Sequence, residues 1–254
     1  MALLEVQDVS VRFGGLVPLD RLSFTVESGQ ICALIGPNGA GKTTFFNVVS
    51  RVYTPTAGRV LFAGTDLLGV PGHRITELGV TRTFQNLALF PGLSVLDNVM
   101  VGAHSCSRGG FLSSAVRFPP VPSEERRLRG DALDLLDLLG LVAVAERPAA
   151  GLPYGTLKRI ELARALASRP KLLMLDEPAS GLTHGEVGQL GDLVRDLRDR
   201  FDLTVLLVEH HMNMVMSISE KVIVMDFGRK IAEGGPAEVA ADPAVIEAYL
   251  GVTA

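Results

Sequence analysis

The chain has no tryptophan, only two cysteines and no apolar run longer than five residues. A helix that crosses a bilayer needs about 20 consecutive apolar residues. The two longest runs, Ile31–Ile35 and Leu141–Ala145, are therefore core segments rather than membrane spans. A secretory leader is not expected either: Glu5 and Asp8 fall where a signal peptide would carry an apolar stretch behind basic residues. There is no basic excess. Twenty-four Lys and Arg face 28 Asp and Glu, a net charge of −4, whereas nucleic-acid binders usually carry a positive patch. The one basic cluster, at 124–129, is mixed in sign and reads as a solvated helix face. Cys32 and Cys106 make neither a disulfide framework nor a metal spacing. Three Tyr and eleven Phe without Trp argue against a stacking platform for bases or sugars. These absences leave a cytoplasmic, soluble chain with no nucleic-acid partner as the expectation.

What is present is core material. Hydrophobic residues are 47% of 254, enough for one large α/β domain with an appended subdomain. Leu4–Val11 and Leu22–Val26 alternate apolar and polar, as half-buried strands do. Ile31–Ile35 is short and continuously apolar, the pattern of a parallel strand buried on both faces. Gly58–Gly64 reads as a further strand. From about 102 to 151 the character changes. Ser, Gly and Pro crowd 105–123, and then Ala132, Leu135, Leu136 and Leu139 repeat at i, i+3, i+4, i+7 opposite Asp131, Asp134 and Asp137. That is an amphipathic helix, so the block reads as a helical insertion. Short apolar strands return at Leu172–Leu175, Thr204–Val208 and Lys221–Met225. Between the first two, Leu190, Leu193, Val194, Leu197 and Phe201 line one helix face behind a capping box at Thr183 and Glu186. Such alternation predicts parallel βαβ units.

Two motifs carry chemistry. Gly36-Pro37-Asn38-Gly39-Ala40-Gly41-Lys42-Thr43 fits G-x-x-x-x-G-K-[ST]. Its glycines let consecutive N–H groups converge on phosphate oxygens at a helix N-terminus. Lys42 supplies a point charge there, and the Thr43 hydroxyl is a hard oxygen ligand for Mg²⁺; Thr44 follows in the helix. A buried strand precedes the loop and a helix-like segment follows, which is the context the motif requires. The second motif, Leu172 to Pro178, is an apolar strand ending in two carboxylates. Beside a phosphate loop these divide the labour: Asp176 holds the Mg²⁺ shell and Glu177 polarises the attacking water.

With these motifs in place, the chain resembles, along nearly its full length, the nucleotide-binding subunit of ABC transporters. Gly36 to Thr43 looks like Walker A and Leu172 to Glu177 like Walker B. The resemblance implies an α/β P-loop NTPase fold with a mostly parallel core sheet, an N-terminal antiparallel β subdomain and an inserted α-helical subdomain. Mapped onto this chain, 1–254 is one nucleotide-binding domain. Its core would be 1–86 and 157–254, its helical subdomain 87–156, with an irregular insertion at 103–123. The resemblance assigns Gln85 to Mg²⁺ contact and signalling, His210 to the γ-phosphate and Phe13 to adenine stacking. Ala179 to Thr183 is similar to the D-loop. Leu152-Pro153-Tyr154-Gly155-Thr156 aligns with the L-S-G-G-Q signature, whose helix faces the γ-phosphate of a partner subunit. Proline at the serine position has neither hydroxyl nor N–H, so Tyr154, Gly155 and Thr156 are left to contact the nucleotide.

The departures resemble one branch of the family, the ATPases of branched-chain (hydrophobic) amino-acid importers. Arg12-Phe13-Gly14-Gly15, Arg82-Thr83-Phe84-Gln85, the Leu152 to Gly155 signature, Val208-Glu209-His210 and Tyr249-Leu250-Gly251 carry that likeness. His211 stands where an acid is common and reads as a surface variant. The resemblance implies ATP and Mg²⁺, a homodimer or a heterodimer with a paralogous ATPase, two membrane permease subunits, and indirectly a solute-binding protein. It implies a peripheral position on the cytoplasmic face of the inner (plasma) membrane, docked by the groove beside Gln85 and the Leu87 to Val99 stretch. Alternatives in the same family are an importer of another small solute, such as urea, or a lipid- or lipopolysaccharide-extracting complex.

Overall fold

The computed structural model describes residues 1–84, 87–103 and 121–250, with the backbone alone at 121–124 and 250. It divides into two compact units, Met1–Arg82 with Lys171–Ala254, and Thr83–Pro170.

The first unit holds two sheets. In the antiparallel sheet β1 (Ala2–Phe13) pairs with both β2 (Leu16–Glu27) and β4 (Ala57–Phe62), and β5 (Thr65–Asp66) closes the edge. The second sheet places β3 (Ile31–Ile35) between β8 (Thr204–Val208) and β9 (Lys221–Asp226). Beyond β8 lie β7 (Leu172–Asp176) and β6 (Val80–Arg82), and beyond β9 lies β10 (Arg229–Gly234). Every pairing in this sheet is parallel except β9 with β10. All residues of β3, β7 and β8 are buried. That is what continuous apolar runs demand when helices cover both faces.

The helix α1 (Lys42–Val49) sends Phe45 and Phe46 into a core shared with both sheets. A smaller core covers the other side of β3 and β9. It draws Val215 from α6 (Met212–Ile218), Val239 from α7 (Pro236–Ala240) and Val245 from α8 (Pro243–Leu250). The helix α5 (His184–Phe201) starts where the sequence predicts, with the Thr183 N–H and hydroxyl donating to Glu186 Oε2 at 2.8 and 2.7 Å. Cys32 is buried in β3, and burial pushes its thiol up to about 12, so it is unreactive packing. Cys106 lies outside the described residues.

The second unit is helical: α2 (Val95–Gly102), α3 (Val121–Leu138) and α4 (Tyr154–Ala167). Its boundary differs from the sequence expectation, which places 157–254 with the core. The whole of α4 belongs here because it packs on α2 and α3. Gly102 makes the approach possible: a Cβ there would sit 1.9 Å from the Arg164 carbonyl oxygen. Asn98, fully buried on α2, accepts the Phe90 N–H at 2.8 Å and donates to the Phe90 and Ser94 carbonyls. Buried amides are kept only when so satisfied, and this one fixes the loop at 90–94. Most of the expected insertion at 103–123 lies outside the described residues.

Candidate functional site

The parallel sheet brings three chain segments to one edge. In register, Leu34 of β3 and Asp176 of β7 both pair with Val208 of β8. The residues leaving these strands are therefore neighbours: the 36–43 loop after β3, Glu177 after β7, and Glu209 and His210 after β8. Sites in such sheets form at the carboxyl ends of the strands.

The loop is built to leave backbone donors open. The N-cap of α1 is Gly41, with φ 102°, no side-chain cap and no acid in the first turn. A helix start with neither cap nor acid has free N–H groups and an uncompensated positive dipole end, suited to an anion. Two of the glycines are obligatory. A Cβ at Gly36 (φ +151°) would meet the Met225 carbonyl oxygen at 2.0 Å, and one at Gly41 would meet the Pro18 carbonyl oxygen at 2.3 Å. Asn38 and Gly39 are exposed, Pro37 is half-buried and Ala40 is buried. Lys42 Nζ donates to the carbonyls of Gly36 and Pro37 at 2.6 and 3.0 Å. Burial holds its pKa below the ordinary lysine value, and the carboxylates of Glu177 and Asp176 pull it back up. A cavity of about 770 Å³ is lined by residues 36–40, His210, Asp226, Phe227 and α8. The Gly36 backbone also bonds the Tyr249 hydroxyl of α8, whose pKa burial raises.

The hydrolytic candidates meet directly. Glu177 Oε1 lies 2.9 Å from His210 Nε2. Glu177 has φ +48°, a left-handed conformation uncommon outside glycine, and its N–H is held by the Val208 carbonyl at 2.8 Å. Asp176 is buried and bound by Arg82, whose guanidinium donates to Asp176 Oδ2 at 2.6 Å and to Asn47 Oδ1 at 2.7 Å. Arg82 also lies over the Phe46 ring. Sequence reasoning gave Arg82 no such role; its place on β6 beside Walker B is decided by the β6–β7 pairing.

For a divalent cation, the available donors are the Asp176 carboxylate and the exposed Thr43 hydroxyl at the start of α1. Among the described residues no group of three or more His, Cys, Asp or Glu could enclose a metal. That set fits Mg²⁺ shared with substrate phosphates, which takes one or two carboxylates and keeps its other positions for phosphate and water. Gln85, the third expected ligand, lies outside the described residues.

Phe13 ends β1, half-exposed, with its ring edge-to-face with Tyr53 at 5.2 Å. Tyr53 is a neighbour the sequence did not announce. In the second unit Tyr154 is partly exposed at the first turn of α4, whose N-cap, Pro153, gives no side-chain cap. Gly155 and Thr156 follow in the same turn. Behind them Lys158 and Glu161 are buried and 3.7 Å apart, and Glu161 accepts the Phe84 N–H at 3.2 Å. His211, expected as a surface variant, is partly exposed, and its Nδ1 lies 2.8 Å from Oε1 of the buried Glu209.

A phosphate loop, a strand-end carboxylate pair and a histidine bonded to the second carboxylate define a P-loop nucleotide hydrolase. Residues 19–180 match the ABC transporter family model, and 229–254 match that of the branched-chain amino acid ATP-binding cassette transporter. The chain is 41% identical over 98% of both lengths to the high-affinity branched-chain amino acid transport ATP-binding protein BraF of Pseudomonas aeruginosa. It is 40% identical, again over 98% of both, to LivG of Escherichia coli K12. It superposes on the ADP conformation of an ABC transporter's ATP-binding cassette with a TM-score of 0.86, 31% identity and 99% of each chain covered. The chain belongs to the ABC transporter ATP-binding family, whose cassette binds and hydrolyses ATP to power transport. Among the described residues no helix is long and apolar enough to cross a membrane.

Proposed function

We propose that this chain is the ATPase subunit of an importer for branched-chain, hydrophobic amino acids, seated on the cytoplasmic face of the inner (plasma) membrane. Two copies, or one copy and a paralogue, would serve two permease subunits fed by a solute-binding protein. The observation that carries the ATPase chemistry is the Glu177–His210 contact at the strand edge that also bears the Lys42 loop. The cargo reading is supported by the C-terminal family match and by the names of the relatives.

In this reading the backbone of 36–43 and Lys42 hold the ATP phosphates, Thr44 extends the helix start, and Phe13 stacks on adenine. Thr43, Asp176 and Gln85 would hold Mg²⁺, which would neutralise negative charge on the phosphates. Glu177 takes a proton from the water whose oxygen attacks the γ-phosphorus as the bond to the β–γ bridging oxygen breaks and ADP leaves, and His210 fixes Glu177 through Nε2. Tyr154, Gly155 and Thr156 present a helix start to the nucleotide of the partner subunit. In the second unit Phe84, Phe90 and Leu93 are exposed apolar side chains on one stretch of chain. Exposed apolar groups so clustered mark a docking face, here for a short helix of the permease.

The test is uptake. Deleting the gene should reduce entry of radiolabelled leucine, isoleucine or valine, and Phe90→Asp should do the same while sparing basal hydrolysis. Normal entry of all three, with another solute or a lipid mislocalised, would overturn the cargo reading and leave the ATPase standing.

A further inference from the structure

Glu209, the residue before His210, is 1% exposed, yet its carboxylate faces four donors. Oε2 accepts the Ala179 N–H at 3.0 Å. Oε1 accepts the His210 N–H at 2.9 Å, lies 2.8 Å from His211 Nδ1, and takes the His211 N–H at 3.3 Å. A buried carboxylate is costly unless its lone pairs are met by donors, and here both oxygens are met. The donors come from two segments of chain. Ala179 stands two residues beyond Glu177, and the Ser180 N–H returns to the Glu177 carbonyl at 3.1 Å. His210 is the residue that touches the Glu177 side chain. One carboxylate therefore ties the backbone that presents the base to the backbone that presents its histidine. The tie has something to hold: a non-glycine residue at φ +48° is strained and persists only where its surroundings over-determine it.

We propose that Glu209 is a positioning residue for hydrolysis, setting the Glu177–His210 distance by clamping the Ala179 and His210 amides, with His211 completing the clamp. The proposal rests on Glu177 and His210 being the hydrolytic pair. Glu209 is buried, so its effect on hydrolysis passes through the residues it holds.

Glu209→Gln keeps the size of the side chain but leaves one accepting oxygen, so it must release one of the two amides. In the assembled transporter kcat should fall about tenfold, with KM for ATP held within about twofold, because an interaction that orients the reacting groups is lost and binding is not. In a His210→Ala background the same change should add less than about twofold, since residues acting as a unit are not additive. His211→Ala, at a side chain that is partly exposed, gives a milder variant, with kcat expected down about threefold at unchanged KM. Multiplicative losses in the His210→Ala background, or a rise in KM at constant kcat, would overturn the clamp. If Glu209→Gln does not fold, His211→Ala with kcat unchanged does the same. Glu177→Gln serves as the control: if it retains turnover, the hydrolytic reading fails, whereas its inactivity beside a fully active Glu209→Gln sinks the positioning role alone.

Discussion

Glu177 Oε1 and His210 Nε2 are 2.9 Å apart although 33 residues separate them in sequence, and the parallel pairing of β7 with β8 brings them together. Replacing Glu177 by Gln keeps the shape and leaves Asp176 in place but removes the proton acceptor. Steady-state hydrolysis should nearly vanish while ATP binding stays at the wild-type level. Turnover retained within about threefold would show that another group is the base.

Lys42 occupies the loop it would share with phosphate, its ammonium bound by the Gly36 and Pro37 carbonyls. Lys42→Ala removes the positive charge from a site already poor in counter-charge, so ATP binding itself should be lost. Equilibrium binding of a fluorescent ATP analogue checks this, and a wild-type affinity would remove Lys42 from the site.

Pro153 caps α4 without a side-chain hydrogen bond. A serine there could donate to a nucleotide phosphate, and a hydrogen bond to a charged group is worth about 1.5–3 kcal/mol. The wild-type subunit should therefore sediment mostly as a monomer with Mg-ATP. Pro153→Ser in the Glu177→Gln background should shift it towards dimer relative to Glu177→Gln alone. A tight wild-type dimer at micromolar concentration would contradict this.

Burial raises the Glu161 pKa more than Lys158 and the Phe84 N–H lower it. A carboxyl whose folded pKa lies above its unfolded value favours folding most when protonated, below the ordinary glutamate range. That contribution is lost as pH rises through the folded value. Glu161→Gln mimics the protonated form, so at pH 7 its melting temperature should equal or exceed that of wild type, and the gap should close towards pH 4. A variant clearly less stable at pH 7 would show that the Lys158 pairing outweighs the burial.

Much of the fold was legible because its strands are short apolar runs with little helical alternative. Ile31–Ile35, Leu172–Asp176 and Thr204–Val208 stand as strands almost to the residue, and Thr183 starts its helix. The end of the helical unit was less legible. The signature segment continues into α4 without a break in polarity, and its allegiance depends on which helices it packs against. The contacts of Glu209 and His211 were not legible for a related reason: two polar residues after a strand look like a solvated turn until their partners are known.

Local sequence determined the phosphate loop by itself, because glycine readily adopts the φ +151° found at 36 and the φ +102° found at 41. It also determined the strand Leu172–Asp176, a continuous apolar run up to its terminal carboxylate. Tertiary structure alone decided the pairings between distant segments: Arg82 with Asp176, Glu177 with His210, Glu209 with the Ala179 amide. Each joins groups 30 or more residues apart. Hydrogen bonds of about 3 Å depend on strand order and register, and a single chain's residue pattern encodes those only through the packing of the whole sheet.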